Sequence, residues 1–581
     1  MLKDCIEIFE KEIENYKKNN PNGDEISFIT DDYPLTAGTY FLLDLETGAV
    51  KETLEVEKNS ERTSDLYRKF AKIEYLSMYL DSNKAVADKN IFSNNIYSFI
   101  VKKESVAENK INENLIDGYY DKILSFNQDK NTDKRRIYLD YEEKHGATDV
   151  ENAQKARAAI KNFFEKIYPE TQNEQSPKKG RLAVFFDVEI GEYEKEGNRY
   201  LTANVYNSNK YNYLKAEEVF GLPNNNMGLN VKKPFLENKS RKSGLPCAVS
   251  QKDIITQKLF FDYLLNIFGR KKYYVYFTEN GVKGFGSHEY PDNISGFFAR
   301  IMKGQKECEI LDFATVENRS DKICVNVENV LNIRYSEKNP QNLTYKTYKS
   351  LNELIPVINE ILYGKWLSSN YFSDAKDIRI KNDSGKLKDI LLKTRNMWID
   401  WFYKGKTENL KRNFEYFSME ILKNTIGNFY IPKAREQFNL RAAIIDYFDK
   451  KETSMSEEIG KIVAKLDEKI NSKASCEIES DEEYYFAVGQ AANYFVGLNN
   501  ATKKSHSLIA PVLQCKSNEK LKKVMEKMFL KYGYKIPSNS LRFNNLYGMI
   551  CRYNPEKSIN SDMLVGGYLY QPLMYKKNEE K

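Results

Sequence analysis

A chain of 581 residues, 41% hydrophobic and 30% charged, has the make-up of a folded, soluble protein, which excludes a largely disordered or membrane-embedded one. Its length is about four domains' worth, so several functions can share it. The 89 Lys and Arg, the 41 Tyr and the small net charge of +6 make a basic residue beside a tyrosine cheap, so single basic runs read first as solvated faces.

The start, MLKDCIEIFEKEIENYKK, predicts a helix over roughly 1–18 and has no apolar region of the kind a signal peptide needs. TYFLLDLETGAVKETLEV reads as two strands flanking a Thr47-Gly48 turn. A helix through LYRKFAKIEYLSMYL, the polar loop DSNKAVADKNIFSNN and the strand IYSFIVKK follow. From 181, strands (RLAVFFDVEI, YLTANVY, KKYYVYFTEN) alternate with short helices such as QKLFFDYLLNIFG, which closes on Gly269. After YSEKNPQN the apolar spacing changes to 3.6 in LNELIPVINEILYGKWL, LKDILLKTRNMWIDWFYKG and LRAAIIDYFDKK, and the strands are expected to stop. The fold class is therefore α+β. A mixed, strand-rich body over 1–340 leads to a helical connecting region over 341–454 and a basic helical bundle over 455–581.

Charge is not spread evenly. Between residues 488 and 577 there are fourteen basic and four acidic residues, a net +10 that leaves −4 for the rest of the chain. A composition bias acting on the whole chain does not produce that asymmetry. Over 517–532, Leu521, Val524, Met525, Met528, Phe529 and Tyr532 form an apolar stripe, and Lys520, Lys523, Lys527 and Lys531 line a neighbouring face. Such a face suits a nucleic-acid backbone, and Lys503, Lys504 and Arg542 join it as candidate strand-backbone contacts.

A second basic cluster stands in PNNNMGLNVKKPFLENKSRKSG, which reads as an exposed loop. Asn224, Asn225, Asn226 and Asn230 offer amides, and Lys232, Lys233, Lys239, Arg241 and Lys242 offer positive charge, to nucleic acid or to a neighbouring subunit.

Catalytic patterns are weak by comparison. TDKRRIYLDYEEKHG places Asp133, Asp140, Glu142, Lys144 and His145 together and carries the alternative reading, a metal-dependent nuclease, but lacks an apolar strand before its aspartates. Asp187 and Glu189 form an Asp-x-Glu pair with no Glu-x-Lys to complete it. Phosphate-loop, nucleophile-elbow and HExxH motifs are missing. The seven cysteines, at 5, 247, 308, 324, 476, 515 and 551, and three histidines form no readable metal or disulfide framework, which fits a reducing cytoplasm. No cofactor, no metal and no catalysis are expected.

Three stretches carry a family resemblance: YLDSNKAVADKNIFSNNIYSFIVKKES (79–105), GLPNNNMGLNVKKPFLENKSRKSGLP (221–246) and YYFAVGQAANYFVGL…KKSHSLIAPVL…KLKKVMEKMFLKYGYKI…RFNNLYGMI…VGGYLYQPLMY (484–575). Together they cover about a quarter of the chain, and it resembles the large, signature subunit of a type I-B CRISPR interference complex, Cascade. The resemblance implies a non-catalytic subunit that inspects duplex DNA for a protospacer-adjacent motif and stabilises the R-loop. The implied partners are guide crRNA, target double-stranded DNA and its displaced strand, backbone and small Cascade subunits, and a helicase-nuclease. Asn83, Lys84, Asn94 and Asn95, in the first polar loop, are the candidate motif readers. Some such subunits hold a mid-chain cysteine zinc site; here only Cys247 stands there, so no zinc is expected. Complexes of this kind also draw a small subunit from an internal start, and Met455, after the polar boundary at 449–457, is the candidate.

Overall fold

The computed structural model describes residues 2–57, 60, 62–171, 179–206, 212–215, 218–224, 226–227, 248–304, 307–381, 385–450, 453–499 and 508–575. The protein is α+β, with strands in its first part and helices in its last. The chain divides into two compact units, residues 1–286 with 296–315 and residues 287–295 with 316–581.

In the first unit, helix α1 (Leu2–Asn19) precedes an antiparallel hairpin of β1 (Gly38–Leu43) and β2 (Val50–Val56). The turn needs a left-handed residue, and Gly48 supplies it at φ +68°. Helix α2 (Asp65–Ser77), strand β3 (Ser98–Lys102), helix α3 (Thr132–His145), strand β4 (Arg181–Phe186) and helix α4 (Ile190–Asn204) follow. The sheet order is β2-β1-β4-β3, with β1 parallel and β3 antiparallel to β4. Both faces of the central strands β1 and β4 and of the edge strand β3 are covered, so Phe41–Leu43, Leu182–Phe186 and Phe99–Val101 are continuously apolar and buried. YLTANVY, expected as a strand, is the end of α4. Tyr193, Gly197, Tyr200 and Ala203 recur at helical spacing and are buried, and packing overrides the β-propensity of the short apolar run. Helix α5 (Gln251–Gly269), capped by Ser250, packs Phe260 and Tyr263 against Phe9 of α1. A second sheet has the order β8-β7-β5-β6, from β5 (Tyr274–Thr278), β6 (Gly281–Phe285), β7 (Ile294–Lys303) and β8 (Cys308–Arg319).

In the second unit, β9 (Lys322–Asn326) pairs antiparallel with β10 (Thr347–Ser350). The strands thus do not stop at the polar linker; one more lies beyond it because its partner precedes it. Helices α6 (Leu351–Ile361), α7 (Lys386–Lys404), α8 (Glu408–Gly427) and α9 (Ile431–Asp449) follow. Trp398 of α7 is fully buried and donates to the Tyr363 hydroxyl at 2.8 Å. The equally buried guanidinium of Arg319 donates to the Phe402 carbonyl at 2.8 and 3.0 Å and to that of Pro291.

The last helices are α10 (Met455–Asn471), α11 (Asp481–Gly497), α12 (Asn518–Tyr532), α13 (Leu541–Arg552) and α14 (Ser561–Leu569). α11 and α14 cross at backbone contact, where Gly489 and Gly567 leave no room for side chains. Buried Gln490 locks the crossing, donating to the Gly567 carbonyl at 2.6 Å and accepting from the Leu573 amide at 2.9 Å. α9 also packs on α14: Arg441 pairs with Asp562, and Arg435 Nε donates to the Leu569 carbonyl at 2.8 Å. No helix among the described residues is long and apolar enough to cross a membrane.

Candidate nucleic-acid interfaces

Helix α12 is the clearest candidate surface. Ser517 caps it, and Leu521, Met525, Met528 and Tyr532 are buried. Phe529 stacks on Tyr547 with centroids 4.7 Å apart, and Phe543 continues the aromatic column to Tyr494 at 5.2 Å. That anchoring fixes the opposite side, where Lys520, Lys523, Lys527 and Lys531 are all exposed. They lie about 5–6 Å apart along the axis, on a rise of roughly 1.5 Å per residue. Of the four, Lys523 pairs with Glu519 at 2.6 Å, a solvated i,i+4 bridge that leaves the face strongly positive. Lys522 turns away and donates to the Tyr553 carbonyl at 2.6 Å.

Two exposed apolar side chains, unforeseen from sequence, stand among these lysines. Leu530 is 73% and Tyr534 81% exposed. Leu530 follows Lys527 by three residues on α12, and Tyr534 stands in the 3-10 turn Gly533–Lys535 that ends it, with the Lys535 ammonium 5.7 Å from its ring. The legible signal was that Leu530 falls off the apolar stripe.

Arg542 behaves otherwise than expected for a strand contact. Its Nε donates to Asn471 Oδ1 at 2.6 Å and its Nη1 to the Leu573 carbonyl at 3.3 Å. Asn545 Nδ2 donates to the carbonyls of Ile470 and Ser472 at 3.1 and 2.8 Å. The RFNN motif thus closes the end of α10. Lys503 and Lys504 lie outside the described residues.

In the first unit the polar loop before β3 splits into two kinds of residue. Asn83 is exposed and Lys84 half-buried in a short 3-10 turn, where Asp81 accepts from the Asn83 amide at 2.9 Å and Tyr200 donates to the Lys84 carbonyl at 2.7 Å. Asn94 and Asn95 are buried, which corrects their assignment as readers. Asn95 Nδ2 donates to the Tyr193 carbonyl and its Oδ1 accepts from the Tyr97 amide, both at 3.0 Å. Asn94 Nδ2 donates to the Met78 carbonyl at 3.0 Å. The Asn95 amide is spent on buried backbone groups, while Asn94 donates to one and keeps its Oδ1 buried without a partner, so neither amide faces solvent.

The structure adds a lysine beside that loop. Burial pushes the Lys134 ammonium of α3 down to about 8; Asp129 opposes the shift, and repulsion from Lys84 and Lys122 adds to it. Burial also holds Lys84 below its usual value, against the attraction of Asp81. Lys84 and Lys122 both repel Lys134, Asp129 pairs with Lys122 at 3.6 Å and Asp81 attracts Lys84, so the three lysines outnumber the two carboxylates by one positive charge beside Asn83.

The carboxylates of 133–145 do not assemble as a metal cradle. Glu142, on the inner side of α3, accepts from Arg199 Nε at 2.8 Å and from Asn127 Nδ2 at 2.9 Å. Asp140 pairs with Lys144 at 3.1 Å, and the His145 ring stacks on Tyr141 at 4.4 Å. Asp187 follows β4 beside a cleft of about 1000 Å³ and pairs with Lys51 and Lys69, each at 2.8 Å. Among the described residues no three His, Cys, Asp or Glu side chains converge as metal ligands.

Of the asparagine-rich loop, Asn224 and Asn226 are half-buried, and the Asn224 carbonyl accepts the Met227 amide at 3.0 Å. Asn225, Asn230, Lys232, Lys233, Lys239, Arg241 and Lys242, like Cys247, lie outside the described residues. No family model, curated protein or solved structure matched the chain.

Proposed function

We propose that this chain is a non-catalytic, nucleic-acid-binding large subunit of an RNA-guided DNA-surveillance complex of the type I-B CRISPR kind, acting in the cytoplasm. The observation that carries the reading is the exposed lysine face of α12, backed by an aromatic column and joined by Tyr534. A face of this kind neutralises phosphates without reading bases, while an exposed ring stacks on any base. In this reading it retains the displaced DNA strand, and Asn83, Lys84 and Lys134 inspect the flanking motif in duplex DNA. Guide crRNA, backbone and small subunits and a recruited helicase-nuclease complete the assembly.

The test is a gel shift of the reconstituted complex on target duplexes with a randomised flanking library. The reading requires binding that depends on the flank, weakens when Asn83 and Lys84 are replaced by alanine, and leaves the DNA uncut without the nuclease. Binding indifferent to the flank would make the chain an RNA-binding scaffold. Cutting of duplex by the purified chain with Mg²⁺ would make it a nuclease.

A further inference from the structure

We propose that the second unit holds a separate binding cavity for a nucleotide bearing a terminal phosphate, built from Lys386, Lys423 and Lys516. The cavity measures about 580 Å³, within the range of small-ligand pockets. Its walls come from the first turn of α7, the last turn of α8 and the stretch Ile509–Lys516. Residues far apart in sequence therefore bring three lysines to the lining of one hollow.

Glu420 is the one carboxylate among the lining side chains, and its oxygen lies 3.8 Å from Lys423, at the edge of an ion pair. Neither Lys386 nor Lys516 has a carboxylate within 4 Å among the described residues. The lining is thus left with an excess of two positive charges, which a terminal phosphate, near two negative charges at pH 7, matches better than a singly charged diester. The end of α8 does not oppose this. The amides of Asn428, Phe429 and Tyr430 already donate to the carbonyls of Asn424, Ile426 and Thr425 at 3.0 to 3.2 Å, with Phe429 in the left-handed conformation that closes the helix. Buried Ile509 and Leu513 give the hollow an apolar wall for a ring, and the exposed amides of Asn428 and Gln514 at its rim carry the donors and acceptors that a base or sugar edge needs.

A free nucleotide and the 5′-phosphorylated end of a strand share this chemistry, and Cys515, which lines the hollow half-exposed, reports on both. Full-length protein is alkylated with iodoacetamide, labelling at Cys515 is followed by mass spectrometry, and affinity is measured by calorimetry. The probes are ATP, AMP, adenosine and a trinucleotide with either a 5′-phosphate or a 5′-hydroxyl. ATP and AMP should slow labelling of Cys515 at least fivefold, and adenosine should not. Protection by the 5′-phosphorylated trinucleotide but not its hydroxyl form identifies a strand end as a ligand; protection by mononucleotides alone identifies a free nucleotide. Lys386→Ala with Lys516→Ala, both exposed positions, should weaken ATP binding at least tenfold and remove protection, whereas arginine at both should keep it. Alanine at Lys520, Lys523, Lys527 and Lys531 should leave it unchanged. Failure of every terminally phosphorylated probe to protect Cys515 at millimolar concentration, or protection that survives the Lys386/Lys516 double substitution, overturns the proposal.

Discussion

Gly489 and Gly567 face each other across the closest helix crossing of the C-terminal bundle: a Cβ on Gly567 would collide with the Phe486 carbonyl, and one on Gly489 with the Leu564 carbonyl and the Tyr568 amide. Alanine at either position must push two backbones apart in a packed core. Each substitution should cost about 1–3 kcal/mol. Gly460 is the control, being exposed in α10 with nothing within 4 Å of its would-be Cβ. Gly460→Ala should stabilise by up to about 1 kcal/mol through helix propensity alone. Urea denaturation of the three variants checks the ordering.

The lysine face makes a prediction in salt. Removing one lysine–phosphate interaction should lower the slope of log affinity against log salt by about one unit, for every sequence alike. Alanine at Lys520, Lys527 and Lys531 should each take close to that amount. Lys523→Ala should take less, because Glu519 already holds its ammonium. Tyr534→Ala should weaken single-stranded DNA binding while leaving the slope in place, since stacking releases no counterions. Fluorescence titrations with a labelled oligonucleotide over a salt series separate the two effects.

Glu142 separates structure from chemistry. Its carboxylate neutralises Arg199, whose side chain is 1% exposed. Glu142→Ala leaves that buried charge with Glu196, 3.6 Å away, as its one carboxylate partner among the described residues, at a cost of about 1–3 kcal/mol. Loss of function in this variant must therefore be read beside a melting curve. Asp140→Asn, which removes a half-buried i,i+4 pair with Lys144, should shift stability by less than about 1 kcal/mol.

The lysine stripe was legible in the sequence because two independent periodicities, apolar and basic, agree over one helix. The hairpin around Gly48 was legible because its turn chemistry is local. Asn94 and Asn95 misled, since a polar run reads as solvent-exposed whether its amides meet water or, as here, the buried carbonyls of Met78 and Tyr193. The end of α4 misled because Tyr, Leu, Thr and Val favour strands locally, whereas the helical spacing of Tyr193, Gly197 and Tyr200 declares itself only over a longer window. Lys386, Lys423 and Lys516 stand 37 and 93 residues apart in the chain, and no local signal joins them.

Lys134 sets a pH dependence. Its pKa falls from the usual 10.5 to about 8 on folding, so between these values the unfolded chain binds the additional proton. Stability contributed by this group therefore rises as pH increases from about 8 towards 10.5, and its penalty is complete below 8. Lys134→Gln should raise the melting temperature at pH 7 by a few degrees and flatten the profile above pH 8. A phosphate bound beside Lys84 should restore the ammonium and flatten that slope, which calorimetry with and without duplex DNA would register.

A product begun at Met455 would lack α9, and with it the partner of Asp562, the Arg435 hydrogen bond to the Leu569 carbonyl and the Phe438 ring beside Gly566. Residues 455–581 alone should therefore melt below residues 429–581 by roughly 5–10 °C, about 1–2 kcal/mol for a domain of this size. In the native gene, Met455→Leu should remove the shorter species while the full chain persists. Circular dichroism and a blot against the C terminus check the two outcomes.

The backbone passes between the two units three times, after residues 286, 295 and 315. Neither unit is consequently a single stretch of gene. A segment starting at 316 would keep Arg319 and lose Pro291, whose carbonyl receives its guanidinium, and Ser287, whose carbonyl accepts from the Tyr403 hydroxyl at 3.1 Å. Recombination at one breakpoint cannot exchange either half intact, and any replacement of one by a foreign module has to preserve the short excursion 287–295.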